Sequence, residues 1–197
     1  MDLDALLREV GALKEGHFVL SSGRHSDRYV EKFDLLRQPK ATERACAGMV
    51  ELVRDLGPFD VVAGPTTGGI LLAFEIGRQL DKPAAYAERA ESGSLAREFR
   101  RGTTFTPGAR VLVVDDILTT GGSVRETLAA LGEHDVQAVA VAVLVDRSGG
   151  KVELGLPLYA LSHMQIDTWD TDVCPLCRQS VPITKPGTTG AQPTNAS

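Results

Sequence analysis

VQAVAVAVLVD, residues 136–146, is an almost unbroken run of apolar and β-branched side chains. Such a run has no polar face to turn to water, so it reads as a strand covered on both sides. VVAG (61–64), AAYA (84–87), VLVV (111–114) and LPLYALSHM (156–164) repeat the pattern in shorter form. Helical spacing separates them. LDALLREVGAL (3–13) opens the chain; residues 40–56 place Ala45, Met49, Leu52 and Val53 on one face before Gly57-Pro58; ILLAFEIGRQL (70–80) and Gly122 to Leu131 follow. Buried strands alternating with helices predict an α/β fold with a doubly wound parallel sheet, linked by right-handed crossovers. HFVLSSGRHSDRYVEK (17–32) reads as strand, turn and strand, and residues 88–108 as a long surface loop or a loose hairpin. The chain is expected to form one domain over residues 1–183, with a mobile Pro-, Gly- and Thr-rich tail over 184–197.

In such a sheet ligands bind beyond the carboxyl ends of the strands. Three turns fall there: GPTTGG (64–69), DDILTTGGS (115–123) and DRSGG (146–150). The second is the most informative. Gly121 and Gly122 allow a tight turn, Thr119, Thr120 and Ser123 offer hydroxyls, and the next helix adds its N-terminal amides, which together suit a phosphate. No Gly-Lys-Ser/Thr follows, so this is not a nucleotide P-loop. Asp115 and Asp116 require a ligand that brings donors or a cation next to its phosphate. A ribose 5-phosphate meets both demands; the alternative is a loop with two solvated acids.

The formal net charge is −5, which gives no general reason to bind nucleic acid or an anionic membrane. No stretch has the apolar length of a membrane span, and MDLDALLREVGAL is too acidic for a signal peptide. Three cysteines, with Cys46 alone in a helical pattern, fit the reducing cytoplasm.

An apolar strand, two acids, two apolar residues and T-T-G-G-S resembles the phosphoribosyl-pyrophosphate signature of the type I phosphoribosyltransferases. From about Gly16 to Gly187 the chain is similar to the orotate phosphoribosyltransferases among them. GHFVLSSGRHSDRYVEK matches their N-terminal hood, GPTTGGI their pyrophosphate-side turn, and CPLC…KPG a tail of one branch. The resemblance implies a small hood, mainly residues 1–36, with segment 160–183 near it. It also implies that phosphoribosyl pyrophosphate is bound by Asp115, Asp116, Ile117, Leu118, Thr119, Thr120, Gly121, Gly122 and Ser123. Thr66, Thr67 and Gly68 join these on the pyrophosphate side, with Arg89, Arg97 and Arg101 from the loop. Orotate falls to Thr119, Arg147 and Tyr29. Arginine forms bidentate pairs with carboxylates, which suits Arg147 to orotate's carboxylate; a surface salt bridge is the bland alternative, as core packing is for Tyr29.

Asp115, Asp116 and Arg89 are the catalytic expectations. The acids would stabilise positive charge growing on the ribose, and the arginine would neutralise departing pyrophosphate. Mg²⁺ is the implied cofactor, held by substrate and water with no direct protein ligand. A homodimer with shared active sites is implied as well. The sequence departs from the family in two places. YAERAESGSLAREFRRG (86–102) lacks the loop's usual lysines and histidine, and Ser21 stands where the hood usually has lysine, leaving Lys32 or Arg24 to replace it. Purine-type phosphoribosyl transfer and a non-catalytic nucleotide-sensing regulator are the alternative readings. Cys174-Pro-Leu-Cys177 is half of a zinc site, with no histidine at finger spacing; its other half could come from a second subunit.

Overall fold

The computed structural model describes residues 1–20, 22–91 and 96–186. In chain order the elements are α1 (Leu3–Glu9), β1 (Leu13–Val19), β2 (His25–Val30), α2 (Lys32–Leu36), α3 (Pro39–Leu52), β3 (Val61–Pro65), α4 (Gly68–Leu80), β4 (Ala84–Arg89), β5 (Arg97–Phe99), β6 (Ala109–Leu118), α5 (Gly122–Leu131), β7 (Val136–Asp146), β8 (Leu158–His163), β9 (Thr168–Trp169), α6 (Pro175–Arg178) and β10 (Ile183–Thr184). The main sheet runs β5-β4-β3-β6-β7-β8. Strands β4, β3, β6, β7 and β8 are parallel, and β5 returns antiparallel to β4. Strand order reverses between β3 and β6, so the crevice between their carboxyl ends is where a ligand fits.

Both faces of the sheet are covered, as the unbroken apolar runs require. Leu112, Val114, Ala140, Ala142 and Leu144 pack with Leu6, Met49, Leu72 and Ile76 of the helices α1, α3 and α4. Val111, Val113, Val141 and Val143 pack on the other face with Val124 and Leu131 of α5. Each fully buried large aliphatic side chain contributes about 1.5–3 kcal/mol against the chain's conformational entropy.

A second sheet, β10-β1-β2-β9, forms the hood. Its outer strands come from the far end of the chain: Thr168 and Trp169 pair with β2, and Ile183 and Thr184 with β1. Of the expected tail, Thr184 thus belongs to a strand and Pro186 lines a cleft, while residues 187–197 lie outside the described residues.

Several boundaries differ from expectation. The first helix stops at Glu9 because Gly11 turns left-handed at φ 72°, freeing Leu13 to begin β1. Helix α3 stops at Leu52, not Leu56, as Arg54 and Leu56 donate into tight turns and Leu52 lies exposed. Helix α2 is too short to show a period in the sequence; Glu31 caps it by accepting from the Phe33 N–H at 3.2 Å. Residues 88–108 begin as the hairpin, with Glu88 opposite Glu98 and Arg89 opposite Arg97. Arg101 and Arg100 offset the facing glutamates.

Candidate active site

Strand β6 carries its acids to the crevice. Successive strand residues face opposite sides of a sheet, so Asp115 follows Val111 and Val113 toward α5, while Asp116 follows Leu112 and Val114 toward α4. Adjacent carboxylates in the sequence are therefore not aimed at one point. Asp116 lies on the Cα of Gly68, the first residue of α4; a Cβ there would stand 1.8 Å from its Oδ2. Glycine is required at residue 68 by this contact. Lys32 of α2 reaches across to the same carboxylate, with Nζ 2.9 Å from Oδ1 and 2.8 Å from Oδ2. The Asp115 carboxyl is pushed up to about 7, first by burial and then by the neighbouring Asp116 charge; an N–H from Asp116, then Lys32 and Arg97, oppose the rise.

Beyond the acids, Thr119 and Thr120 are exposed, and Gly121 turns left-handed at φ 76° into α5. A Cβ on Gly121 would come within 2.8 Å of Val152. Arg125 fixes the turn by donating to the Thr120 carbonyl at 2.6 Å. Ile117 and Leu118 are the wall behind it, with Leu118 buried. Free hydroxyls and the α5 N-terminus leave an anion cradle.

Across the crevice, Thr66 and Thr67 follow β3, joined by a cis peptide, with Thr67 exposed. Gly64 and Gly69 bring strand and helix into direct contact: a Cβ on Gly64 would meet the Gly69 carbonyl oxygen at 2.4 Å. Thr66 is held from beneath by Arg97, which the sequence reading places in a substrate-facing loop. Instead Arg97 is buried. It donates to Thr66 Oγ1 at 2.9 Å, to the Ala87 carbonyl at 3.1 Å and to Glu126 at 3.1 Å. Once desolvated and fully engaged, it acts as a brace rather than a mobile clamp. Arg101 forks onto Glu88 at 2.8 and 2.9 Å on the hairpin surface. Arg89 is exposed at the end of β4 and enters no ion pair among the described residues. Loop residues 92–95 lie outside the described residues.

The base-side residues meet in one cleft of about 1270 Å³, lined by Tyr29 and Lys32 from the hood side and by Asp116, Thr119, Thr120 and Arg147 from the sheet. Arg147 follows β7 and is held by its own N–H, donated to the Leu118 carbonyl at 2.8 Å. Among the described residues its buried Nε has no hydrogen-bond partner, and burial lowers the guanidinium's pKa, opposed by Tyr29. The adjacent Asp146 offers no relief, because its carboxylate accepts from the Ser148 N–H and faces His163. A desolvated cation lacking an anion is a binding site for one. Tyr29, pushed up in pKa chiefly by burial, packs at 5.8 Å from Phe18 while still lining the cleft.

Ser21 lies outside the described residues. Of its two candidate replacements, Lys32 is in the cleft, whereas Arg24 is tied to Thr168 and Asp170. Glu126, which holds Arg97, escapes a reading of the sequence, since no local pattern in α5 marks it.

The family model of the phosphoribosyl transferase domain matches residues 34–176. The orotate phosphoribosyltransferase of Caldicellulosiruptor bescii is 44% identical over 182 residues, 92% of this chain and 94% of that protein. That of Carboxydothermus hydrogenoformans is 45% identical over 188 residues, 95% and 97% of the two chains. The crystal structure of orotate phosphoribosyltransferase from Aeropyrum pernix superposes with a TM-score of 0.71 at 31% identity, covering 82% of this chain and 93% of that one.

Proposed function

The chain belongs to the phosphoribosyl transferase family, and we propose that it is an orotate phosphoribosyltransferase, joining orotate N1 to C1 of phosphoribosyl pyrophosphate with release of pyrophosphate. The observation that carries the base assignment is Arg147, half-buried in the cleft beside Tyr29 without an anionic partner among the described residues. A purine acceptor carries no carboxylate and would leave that cation unpaired. Sequence similarity to curated orotate enzymes over most of the chain supports the same substrate.

In this reading the 5-phosphate sits on Thr119, Thr120, Gly121, Gly122 and Ser123 at the start of α5. Asp115 and Asp116 accept from the ribose hydroxyls and favour the oxocarbenium-like charge that grows as the C1–O bond to pyrophosphate lengthens. Pyrophosphate departs against Thr66, Thr67 and Gly68, and Arg89 supplies positive charge from the hairpin. Arg147 holds the orotate carboxylate, with Tyr29 and Thr119 flanking the ring, so that N1 faces C1. Lys32, released from Asp116 when ribose binds, remains beside both substrates. Mg²⁺ supplies a counter-charge for the diphosphate. The hard carboxylate oxygens of Asp115 and Asp116 would suit the waters of such a cation, with substrate and water as its direct ligands. The acceptor preference tests the proposal: with phosphoribosyl pyrophosphate and Mg²⁺, turnover should be confined to orotate among orotate, uracil, hypoxanthine and adenine. Preference for a purine would overturn it.

The reading includes a homodimer with shared active sites and a cytoplasmic location. Leu71 and Phe74, one turn apart on α4 and 39% and 64% exposed, supply an apolar face for a partner. All three cysteines are free, which agrees with a reducing compartment. Among the described residues no helix is long and apolar enough to cross a membrane. Subunit mixing checks the sharing. When Arg89→Ala/Arg101→Ala protein exchanges with Asp115→Asn/Asp116→Asn protein, a loop acting in trans leaves one intact site in each heterodimer. Activity should then recover to about a quarter of wild type under random two-fold pairing. No recovery in a mixture containing heterodimers would place the loop in its own subunit's site.

A further inference from the structure

His17 on β1, His25 on β2, and Cys174 and Cys177 around α6 stand far apart in the sequence yet meet at one point of the hood. Their ligand atoms all lie within 4.8 Å of one another. His17 Nε2 is 2.8 Å from His25 Nδ1, 3.5 Å from Cys174 Sγ and 3.7 Å from Cys177 Sγ, and Cys177 Sγ is 3.2 Å from His25 Nδ1. A zinc ion with bonds of about 2.0–2.1 Å to nitrogen and about 2.3 Å to sulfur has tetrahedral edges of about 3.3–3.8 Å. The two distances from His17 Nε2 to sulfur match those edges, whereas the 2.8 Å nitrogen pair and the 3.2 Å sulfur–nitrogen contact are shorter, so the two rings and the Cys177 thiol would spread by about 0.3–0.5 Å to admit the ion. His17, His25 and Cys174 are buried.

The outward nitrogens are also arranged for a metal. His17 Nδ1 lies 2.8 Å from the Val181 carbonyl, which can only accept, so Nδ1 carries the proton and Nε2 presents its lone pair inward. His25 turns Nε2 outward to Thr171 Oγ1 at 3.4 Å, leaving Nδ1 inward. Metal-ligating histidines are held in this way by outer partners. With Thr171 donating to Nε2 the His25 Nδ1 lone pair also faces inward, and an ion between the two nitrogens would take the place of the proton that otherwise bridges them as an N–H···N hydrogen bond.

We infer that His17, His25, Cys174 and Cys177 form a closed tetrahedral zinc site that fastens the C-terminal segment to the hood. Two nitrogen and two sulfur donors select zinc over a hard cation such as Mg²⁺, and four protein ligands leave no open position for catalysis. The segment needs such a fastening. From residue 165 to 186 Cys174 is the only fully buried residue, and β9 and β10 are two residues each. Without a core, a metal holds what packing cannot. The second half of the cysteine pair's site therefore comes from the same chain, not from a second subunit. Because Pro186 lines the cleft and Tyr29 shares β2 with His25, the metal also steadies the orotate side without touching substrate.

Metal analysis of protein purified under reducing conditions and supplied with Zn²⁺ tests the site. About one zinc per chain is expected, falling below about a tenth in Cys174→Ser and His25→Gln. Zinc removal by chelator should lower Tm, and adding Zn²⁺ should restore it. In the wild type, Co²⁺ in place of zinc should give the intense visible bands of a tetrahedral sulfur–nitrogen site, a readout independent of whether the variants fold. Absence of zinc after reconstitution, zinc retained in both variants, a six-coordinate Co²⁺ spectrum, or a Cys174–Cys177 disulfide in anaerobically purified protein would each overturn the inference.

Discussion

Replacing Arg147 by alanine is expected to cut kcat/KM for orotate by about 30- to 300-fold, while KM for phosphoribosyl pyrophosphate moves less than about threefold. Truncating one partner of a desolvated charge pair costs about 2–5 kcal/mol, and a half-buried arginine belongs at the lower end of that range. Arg147→Lys should recover only part of the loss, since an ammonium cannot present two parallel N–H groups to a carboxylate. The unliganded variant should melt no lower than wild type, because the guanidinium is desolvated there and its Nε is unpaired. Steady-state kinetics with each substrate varied, together with a melting curve, read all three. An equal loss toward both substrates with a falling Tm would make Arg147 a structural residue.

Asp115→Asn and Asp116→Asn should each lower kcat by about 10²-fold or more, the usual consequence of deleting a group preorganised against transition-state charge. For Asp115 the effect on stability has the opposite sign. Its carboxyl titrates at about 7 in the folded chain against an ordinary 3.8, so the folded state binds the extra proton. Stability from this group is therefore fully present below about pH 4 and is lost as the pH rises through about 7. Asparagine has no such loss. The Tm difference between Asp115→Asn and wild type should be near zero at pH 4 and positive at pH 8, where each tenfold gain in proton affinity on folding corresponds to about 1.4 kcal/mol. Melting curves at the two pH values, without substrate or Mg²⁺, measure it. Asp116→Asn also strips Lys32 of its counter-charge, so the two variants should differ in stability while sharing the kinetic defect. Activity within threefold of wild type in both would remove the pair from the reaction.

Features that are contiguous in the chain are legible without the fold. Residues 111–123 carry strand, acids, turn glycines and helix start in a single stretch, so their order alone predicts a strand-end turn suited to a ribose phosphate. The runs at 61–64 and 136–146 declare buried parallel strands because nearly every residue is apolar, whereas Asp115 and Asp116 read as one pair until the folded sheet turns them to opposite faces. Arg147 is legible because it directly follows such a strand. What bridges distant segments is not. Arg97 reads as one more loop arginine, yet the β4–β5 register turns it inward onto Thr66 and Glu126. Lys32 and Arg24 are equal candidates for the missing hood lysine until α2 aims Lys32 at Asp116 and Thr168 and Asp170 hold Arg24. The two cysteines form half a metal site until β1 and β2 bring His17 and His25 to them from 157 and 152 residues away. The physical reason is common to all three. Local backbone preference and hydrophobic period act over a few residues, whereas parallel crossovers and the two-ended hood join positions whose separation leaves no periodic trace. Only the closed fold decides which side chains then share a site.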